Sequence, residues 1–331
     1  MGQRPRPLFQ WRGIVRIGIV TPAFNVAPYI GETIQSVLNQ THGDWTMVVM
    51  DDGSTDETAM EVRGFRDPRL HLISRENAGV SAARNRGVAS LDCDATMFLD
   101  GDDWLAPFAL EALSRALSAA PDAVASVGAY ERGGRVYPPA SGKLLERLLV
   151  RNLFVNGGHV LIRRQAVQPF REDLHYGEDW EFWVRLARLS FVMAGEGRPS
   201  PAMIQSGTFA RVSNPRPLLH VRERPTGAYL RMATDPTAYI PCLNAIHSNP
   251  ALAALYPPKK RAAFRRQADA EVQWTIGREL IRHRRYGDGL SWLARSLALA
   301  PTVRRAAVLA AVAVLPPRWR GPLYPYDTLG Q

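Results

Sequence analysis

Cysteine is nearly missing: Cys93 and Cys242 are the two in 331 residues, far apart and without metal-ligand spacing. Such usage excludes a disulfide framework and points to a reducing compartment. Long apolar runs are missing as well. The basic start "MGQRPRPLFQWRG" has no apolar stretch behind it, so no secretory signal is expected. The most apolar run near the other end, "AAVLAAVAVL" at 306–315, is about half the length that spans a bilayer. A lone helix–turn–helix pattern at 278–301 resembles one tetratricopeptide-type hairpin, yet no second copy follows, which excludes a solenoid.

What is present is a chain long enough to bury one large core or two unequal ones, with 46% hydrophobic residues. Its net charge of +10 is unevenly placed. From Pro257 onward there are fourteen Lys/Arg against five Asp/Glu, so that stretch carries +9 and the first 256 residues carry +1. A solvated helical surface is the plain reading of such a tail. An anionic membrane face is the alternative, because each Lys or Arg near lipid headgroups adds attraction. No nucleic-acid motif accompanies the charge, so nucleic acid is not an expected partner.

Along the first 130 residues, β-branched runs alternate with helical patterns. "IVRIGIV" (14–20), "TMVVM" (46–50), "LHLIS" (70–74) and "ATMFL" (95–99) read as strands. Ile30, Ile34, Val37 and Leu38 recur at helical spacing, and "GVSAARNRGVAS" (79–90) is helical in character. "STDE" at 54–57 has the form of a capping box, with Ser54 accepting from the backbone and Glu57 reaching back. The alternation predicts an α/β fold, a mostly parallel Rossmann-like sheet with helices on both faces. Further on, "HVLIRR" (159–164) reads as a strand and "EDWEFWVRLARLS" (178–190) as a helix with an acidic start. Residues 195–258 hold many Pro and Gly, which predicts loops or a flap. "RELIRHRRYGDGLSWLARSLALAP" (278–301) reads as two helices joined at a Tyr-Gly-Asp turn. The expected organisation is a basic arm (1–13), an α/β domain (14–195), an irregular region or flap (196–258) and a basic helical extension (259–331).

Open parallel sheets bind ligands beyond the carboxyl ends of their strands. On that rim the sequence puts "TPAFN" (21–25) after the first strand, Asp51 and Asp52 after the second, and "DGDD" (100–103) after the fourth. Adjacent carboxylates repel one another and resist burial, so a compensating charge is expected. A divalent cation, Mg²⁺ or Mn²⁺, supplies it: such ions take one or two carboxylates on one side and substrate phosphates on the other. Gly101 leaves room for close backbone approach. The bland alternative makes Asp100 and Asp102 turn formers and caps for the helix "WLAPFALEALSRAL".

Four blocks occur in order: "VTPAFNVAPYIGETIQSVLNQT", "VVMDDGSTDET", "ENAGVSAARNRGVA" and "FLDGDDWLAP". Together they resemble the family 2 glycosyltransferases, inverting enzymes with the GT-A fold that use nucleotide-sugars. The likeness covers roughly residues 15 to 190, and "GEDWEFWVRLARL" (177–189) is similar to the later block of that family, which carries the catalytic base. The resemblance implies that Pro22, Ala23 and Asn25 lie in the loop receiving the nucleotide and that Asp52, or else Asp51, hydrogen-bonds the base. It implies that Asn77 and Gly79 wall the donor pocket with support from Arg84. Asp100 lies near ribose and sugar, with Gly101 beside it; Asp102 is the principal metal ligand, with Asp100 contributing; and Asp103 serves the fold as a cap. Asp179 is the implied general base, with Glu178 shaping the acceptor end. At a helix start, Asp179 also has the macrodipole favouring its carboxylate form, as a base requires.

Trp183 is expected in the core, while Trp180 is a candidate sugar-stacking residue; His159 and His220 are candidates near the donor, metal or acceptor. "HVRERPTGAY" (220–229) departs from the family pattern, which leaves a third metal ligand open. The implied partners are a nucleotide-diphosphate sugar, a UDP-sugar by family habit, and a glycan or lipid-linked acceptor in surface polysaccharide synthesis. The implied location is cytoplasmic, peripheral on the inner face of the plasma membrane. Two rivals remain. In a haloacid-dehalogenase-like phosphotransferase, Asp100 would attack phosphate within Asp-x-Asp-x-Thr/Val, but here Asp103 and Trp104 follow Asp102. A catalytically inactive nucleotide-sugar-binding protein would have lost the metal or base carboxylates, and both are present.

Overall fold

Parallel strands covered on both faces need near-continuous apolar sequence, and the β-branched runs supply it. In the computed structural model, which describes residues 15–140, 142–192, 209–223, 235 and 237–314, these runs form β1 (Ile17–Ala23), β2 (Trp45–Asp52), β3 (Leu70–Arg75) and β4 (Ala95–Phe98). The basic arm at 1–13, part of the irregular region and the tail beyond 314 lie outside the described residues. β1 pairs in parallel with β2 and with β4, and β2 with β3. Every residue of β1 but Pro22 is buried. Parallel pairing puts the carboxyl ends of these strands on one rim.

The chain divides into two compact units. The first takes residues 1–145, 154–173 and 185–222, and the second 146–153, 174–184 and 223–331. The division interleaves along the sequence: 146–153 and 174–184 group with the C-terminal helices.

In the first unit a seven-stranded sheet runs β10-β6-β9-β4-β1-β2-β3, where β6 is Ala125–Val127, β9 is Val160–Arg163 and β10 is Phe209–Arg211. β9, the strand expected at 159–164, is antiparallel to both β4 and β6, and the other pairs are parallel. Helix α1 (Ala27–Leu38) buries Ile30, Ile34 and Val37. α3 (Val80–Ala89) follows β3, and α4 (Ala109–Ser118) buries Leu110, Leu113 and Leu117. A second sheet, β5-β11-β7-β8, was not expected; its strands are Trp104–Leu105, Leu219–Val221, Tyr130–Arg132 and Arg135–Tyr137. Strands of two or three residues are too short to show an alternating period. With β10 and β11, the region 195–258 holds regular elements among its loops.

The capping box at 54–57 does not form. α2 (Thr58–Arg63) starts four residues past Ser54, and the Ser54 hydroxyl accepts the Asn25 N–H at 3.1 Å instead. Asp56 takes over the end of the helix, accepting from the Thr58 N–H at 3.0 Å and from the Ala27 N–H at 3.1 Å. One carboxylate thereby starts two helices.

α3 packs on the sheet through small residues. A Cβ at Gly87 would lie 2.4 Å from Val20 Cγ1 and 3.1 Å from Met50 Cγ. Val20 is fully buried and has nowhere to move. Gly87→Val is therefore expected to lower the unfolding free energy by about 2 kcal/mol or more, through overpacking. A urea titration in which the midpoint does not fall would refute that packing account.

The second unit is helical: α5 (Leu144–Leu148, shared at its start with the first), the beginning of α6 (Glu178–Val192), α7 (Ile240–His247), α8 (Ala251–Leu255), α9 (Pro258–Arg282), α10 (Tyr286–Leu299) and α11 (Val303–Val314). The α9–α10 break falls at His283–Arg285, not at Tyr-Gly-Asp. Arg284 makes the reversal at φ +62°, and Tyr286-Gly-Asp is the first turn of α10, where Asp288 accepts from Arg285 Nη2 at 2.7 Å. An acidic residue suits that position of a helix. Among the described residues no helix is long and apolar enough to cross a membrane.

Candidate functional site

β2 ends in Asp51 and Asp52, both buried. Asp51 Oδ1 accepts the Ser54 N–H at 3.0 Å. Asp52 accepts the backbone N–H groups of Ala78 at 2.9 Å and Gly79 at 2.8 Å, while Asn77 Nδ2 donates to the Asp52 carbonyl at 2.9 Å. One aspartate thus ties down the whole 77–79 loop. Gly79 there has φ +91°, which favours glycine. An open depression of about 510 Å³ adjoins this loop, lined by Arg75, Glu76, Asn77, Ala78 and Arg86. Pro22 and Ala23 stand in β1 itself rather than in the loop after it, with Ala23 opposite Asp51. Asn25 is in the loop at φ +52°, and its Oδ1 accepts the Thr55 N–H at 2.8 Å. The rim loops are thus stitched to one another.

Asp100, Asp102 and Asp103 follow β4, and each offers a carboxylate oxygen within 4.8 Å of the others. Arg84, a buried side chain of α3, donates to Asp100 Oδ1 at 3.1 Å, with its guanidinium 5.1 Å from the Phe170 ring centre. Gly101 fits tightly: a Cβ would lie 3.2 Å from Val26, 3.3 Å from Ile30 and 3.3 Å from the Pro22 carbonyl oxygen.

Asp103 does serve the fold, but not as a cap. α4 begins at Ala109 with Phe108 before it and no side-chain cap. Asp103 is instead buried and accepts the Arg222 N–H at 2.8 Å and the Asn156 side-chain amide. Burial, and then the charges of Asp100 and Asp102, push its carboxyl well above the usual carboxylate range, against the pull of those two hydrogen bonds. Three hard oxygen donors crowded on a partly open turn, with an excess of negative charge, fit a dication such as Mg²⁺ or Mn²⁺. Asp100 and Asp102 are the partly exposed members that could hold it.

In the second unit, Glu178 and Asp179 form the first turn of α6. Asp179 Oδ2 accepts from Asn152 Nδ2 at 2.8 Å, and Oδ1 accepts the Trp180 N–H at 2.7 Å. The preceding Gly177 has φ +73°, and a Cβ there would lie 2.6 Å from Cys242 Sγ. Trp180 is not a sugar platform. Its ring is buried and its Nε1–H donates to the Leu148 carbonyl at 2.7 Å, because an indole on the inner face of an amphipathic helix gains more by packing. Trp183 is in the core, as its spacing predicts.

His159 is likewise a packing residue, 2% exposed and against the rings of Tyr130 and Phe154. Burial alone pulls its pKa down to about 3, which keeps the ring neutral. His220 is half-buried, stacks on Trp104 at 5.3 Å and meets Glu131 at 3.0 Å. Neither joins the acidic cluster, and among the described residues no His or Cys completes it.

Three residues with direct roles in this geometry were not singled out from sequence: Asn152, Asn156 and Arg222. Asn156 stands in "NGG", which reads as a turn, and Arg222 in a stretch that reads as a loop. Neither carries a local signal of the partner it meets 53 or 119 residues away.

Residues 18–175 match the family described as Glycosyl transferase family 2. The UDP-Glc:alpha-D-GlcNAc-diphosphoundecaprenol beta-1,3-glucosyltransferase WfgD of Escherichia coli is 29% identical over 180 residues, covering 52% of this chain and 70% of its own. Two relatives of higher identity, 37% and 36%, are matched over only 13% and 37% of their own length. Among solved structures, S. aureus TarS 1–349 has a TM-score of 0.56 at 14% identity, over 90% of this chain and 87% of that one. The mannosyltransferase PcManGT of Pyrobaculum calidifontis, in complex with GDP-Man and Mn²⁺, has a TM-score of 0.53 at 17% identity, over 96% of this chain and 85% of that one. At such identities the likeness is one of fold, the GT-A fold. The ordered sequence blocks and the rim they build thus lie in the segment, residues 18–175, that matches glycosyl transferase family 2.

Proposed function

We propose that the chain is an inverting glycosyltransferase that moves a sugar from a nucleoside-diphosphate sugar to an acceptor hydroxyl. The observation that carries this reading is the crowding of Asp100, Asp102 and Asp103 within 4.8 Å at the end of β4, on the same rim of the parallel strands as the Asp52-tied loop. A diphosphate is repelled by such a cluster unless a cation lies between them, and the donor set suits one. Asp102, with Asp100, would hold Mn²⁺ or Mg²⁺. GT-A glycosyltransferases commonly use a divalent metal, which when bound neutralises charge gathering on the departing diphosphate.

The chain's own residues do the rest. Asp52 holds the 77–79 loop as a wall of the nucleotide pocket, with Asp52 or Asp51 offering an acceptor to the base and Pro22, Ala23 and Asn25 forming the opposite side. Arg84 keeps Asp100 oriented. Asp179 accepts the proton of the acceptor hydroxyl, with Glu178 beside it toward the acceptor. The freed oxygen forms a bond to the anomeric carbon as the bond to the diphosphate breaks, in one displacement with inversion. A haloacid-dehalogenase-like phosphotransferase has no support here, since the acidic turn follows β4 and lies in the segment that matches family 2.

A UDP-sugar is the favoured donor, supported by TarS being known with UDP and with UDP-GlcNAc, although PcManGT carries GDP-Man. A glycan or lipid-linked acceptor in surface polysaccharide synthesis is supported by the name of WfgD, whose acceptor is linked to diphosphoundecaprenol. The experiment is a panel of UDP- and GDP-sugars tested for Mn²⁺-dependent protection against thermal unfolding. A donor at about 100 times its dissociation constant should add about 2.7 kcal/mol to the apparent stability. Absence of protection by every nucleotide-sugar, with and without Mn²⁺, would sink the reading.

The +9 stretch after residue 257 supports peripheral attachment to the anionic inner leaflet of the plasma membrane, on the cytoplasmic side. α11 adds exposed apolar residues at both ends, Val303 and Val314. The protein is expected to sediment with phosphatidylglycerol-containing vesicles and to be released by salt. Sedimentation independent of lipid charge would contradict it.

A further inference from the structure

We propose that Arg222 is a positioning residue for the metal-bearing turn 100–103, and through it for the donor's diphosphate; this rests on the reading of that turn as a dication site. Arg222 grips the turn at consecutive residues. Its backbone N–H donates to Asp103 Oδ1 at 2.8 Å, and its Nε–H donates to the Asp102 carbonyl at 3.0 Å. Its Nη2 donates to Glu32 of α1. The guanidinium is flanked by two rings, 5.0 Å from the centre of Tyr29 and 4.8 Å from that of Trp104.

The strands bring this about. β11 runs antiparallel to β5, with Leu219 opposite Leu105 and His220 opposite Trp104. His220 stacks on Trp104 with the ring planes 5° apart. The chain leaving β11 therefore passes directly beside the residues that enter β5, and Arg222 is the side chain that reaches back onto the turn. The Asp102 carbonyl is thereby held by the Arg222 side chain and the Asp103 carboxylate by the Arg222 backbone N–H, while the far end of the side chain meets Glu32 of α1. The Glu32 pair is solvent-exposed and by itself contributes little. What orders the turn is the fork geometry: Nε–H is aimed at the Asp102 carbonyl while Nη2–H is aimed at the Glu32 carboxylate of α1, a two-point grip that a lysine cannot reproduce.

Loss of a partner that orients a metal ligand typically weakens metal affinity by about 10–100-fold. The experiment follows the melting temperature of the whole chain with UDP at fixed concentration while Mn²⁺ is titrated, for wild type, Arg222→Gln and Arg222→Lys. The expected result is a half-effective Mn²⁺ concentration raised about 10-fold or more in both variants, with apo melting temperatures close to wild type. A Mn²⁺ titration unchanged in Arg222→Gln, or fully restored in Arg222→Lys, overturns the proposal, the latter because charge alone would then suffice. Should Arg222→Gln not melt cooperatively, Arg222→Lys decides: a half-effective Mn²⁺ concentration raised about 10-fold or more supports the proposal, and a titration equal to wild type overturns it. A wild type insensitive to Mn²⁺ removes both the metal reading and this inference. Wild-type sensitivity with unchanged variants removes only the inference.

Discussion

Asp179→Asn is expected to lower sugar transfer by about 10²–10⁴-fold, the range that a positioned general base contributes, while leaving Mn²⁺-dependent donor binding within about twofold of wild type. An amide has nearly the shape of the carboxylate but cannot take the acceptor's proton. Its cost to the fold is small yet not zero. Asp179 accepts one N–H on each oxygen, from Asn152 and from the Trp180 backbone, and an asparagine has a single acceptor oxygen for the two donors. The unmatched bond at this half-buried position costs about 1 kcal/mol, a modest loss beside the change in rate. The assay is release of nucleoside diphosphate with the donor that the thermal panel selects, run alongside donor-dependent melting. Wild-type rates in this variant would remove Asp179 from the mechanism; loss of donor binding would make it part of the donor pocket. An inactive nucleotide-sugar-binding protein would show donor protection with no turnover in the wild type itself.

The second large effect is expected at the acidic turn. Asp102→Ala should weaken Mn²⁺-dependent binding of a nucleoside diphosphate by about 100-fold or more, beyond the 10–100-fold seen when only a supporting partner of a ligand is removed. The fold should survive. Asp103, not Asp102, is the buried carboxylate that joins the turn to Asn156 and Arg222. Removing one of three crowded carboxylates also relieves repulsion in the protein without metal, so the apo form should melt no lower than wild type. A Mn²⁺ titration in the presence of UDP, followed by calorimetry, reads the effect. Curves superimposable on wild type would take the metal away from Asp102.

The two predictions divide along the two units of the chain. Asp100, Asp102 and Asp103 belong to the unit that contains the large sheet, and Asp179 to the unit that contains the C-terminal helices. The expected signatures differ accordingly: Asp102 acts on binding and Asp179 on rate.

Much of this was legible in the order of residues alone. β1 to β4, α3 and α6 could be read because their signals are local: a β-branched run, a helical spacing, an acidic helix start. The carboxylates of the rim could be read because strand ends are marked by abrupt changes from apolar to charged sequence, and in a parallel sheet such ends share one side. Tertiary structure alone decided what stands behind them. It buried Trp180 and His159, which the sequence leaves as ligand candidates, because whether a ring faces core or cleft depends on what packs over it. It formed the sheet of β5, β7, β8 and β11 from strands too short to show a period, and it moved Asp103 from helix cap to buried tie. Asn156 and Arg222 meet that aspartate across 53 and 119 residues. Contacts so distant in the chain leave no spacing to detect, since only the folded path brings their partners together.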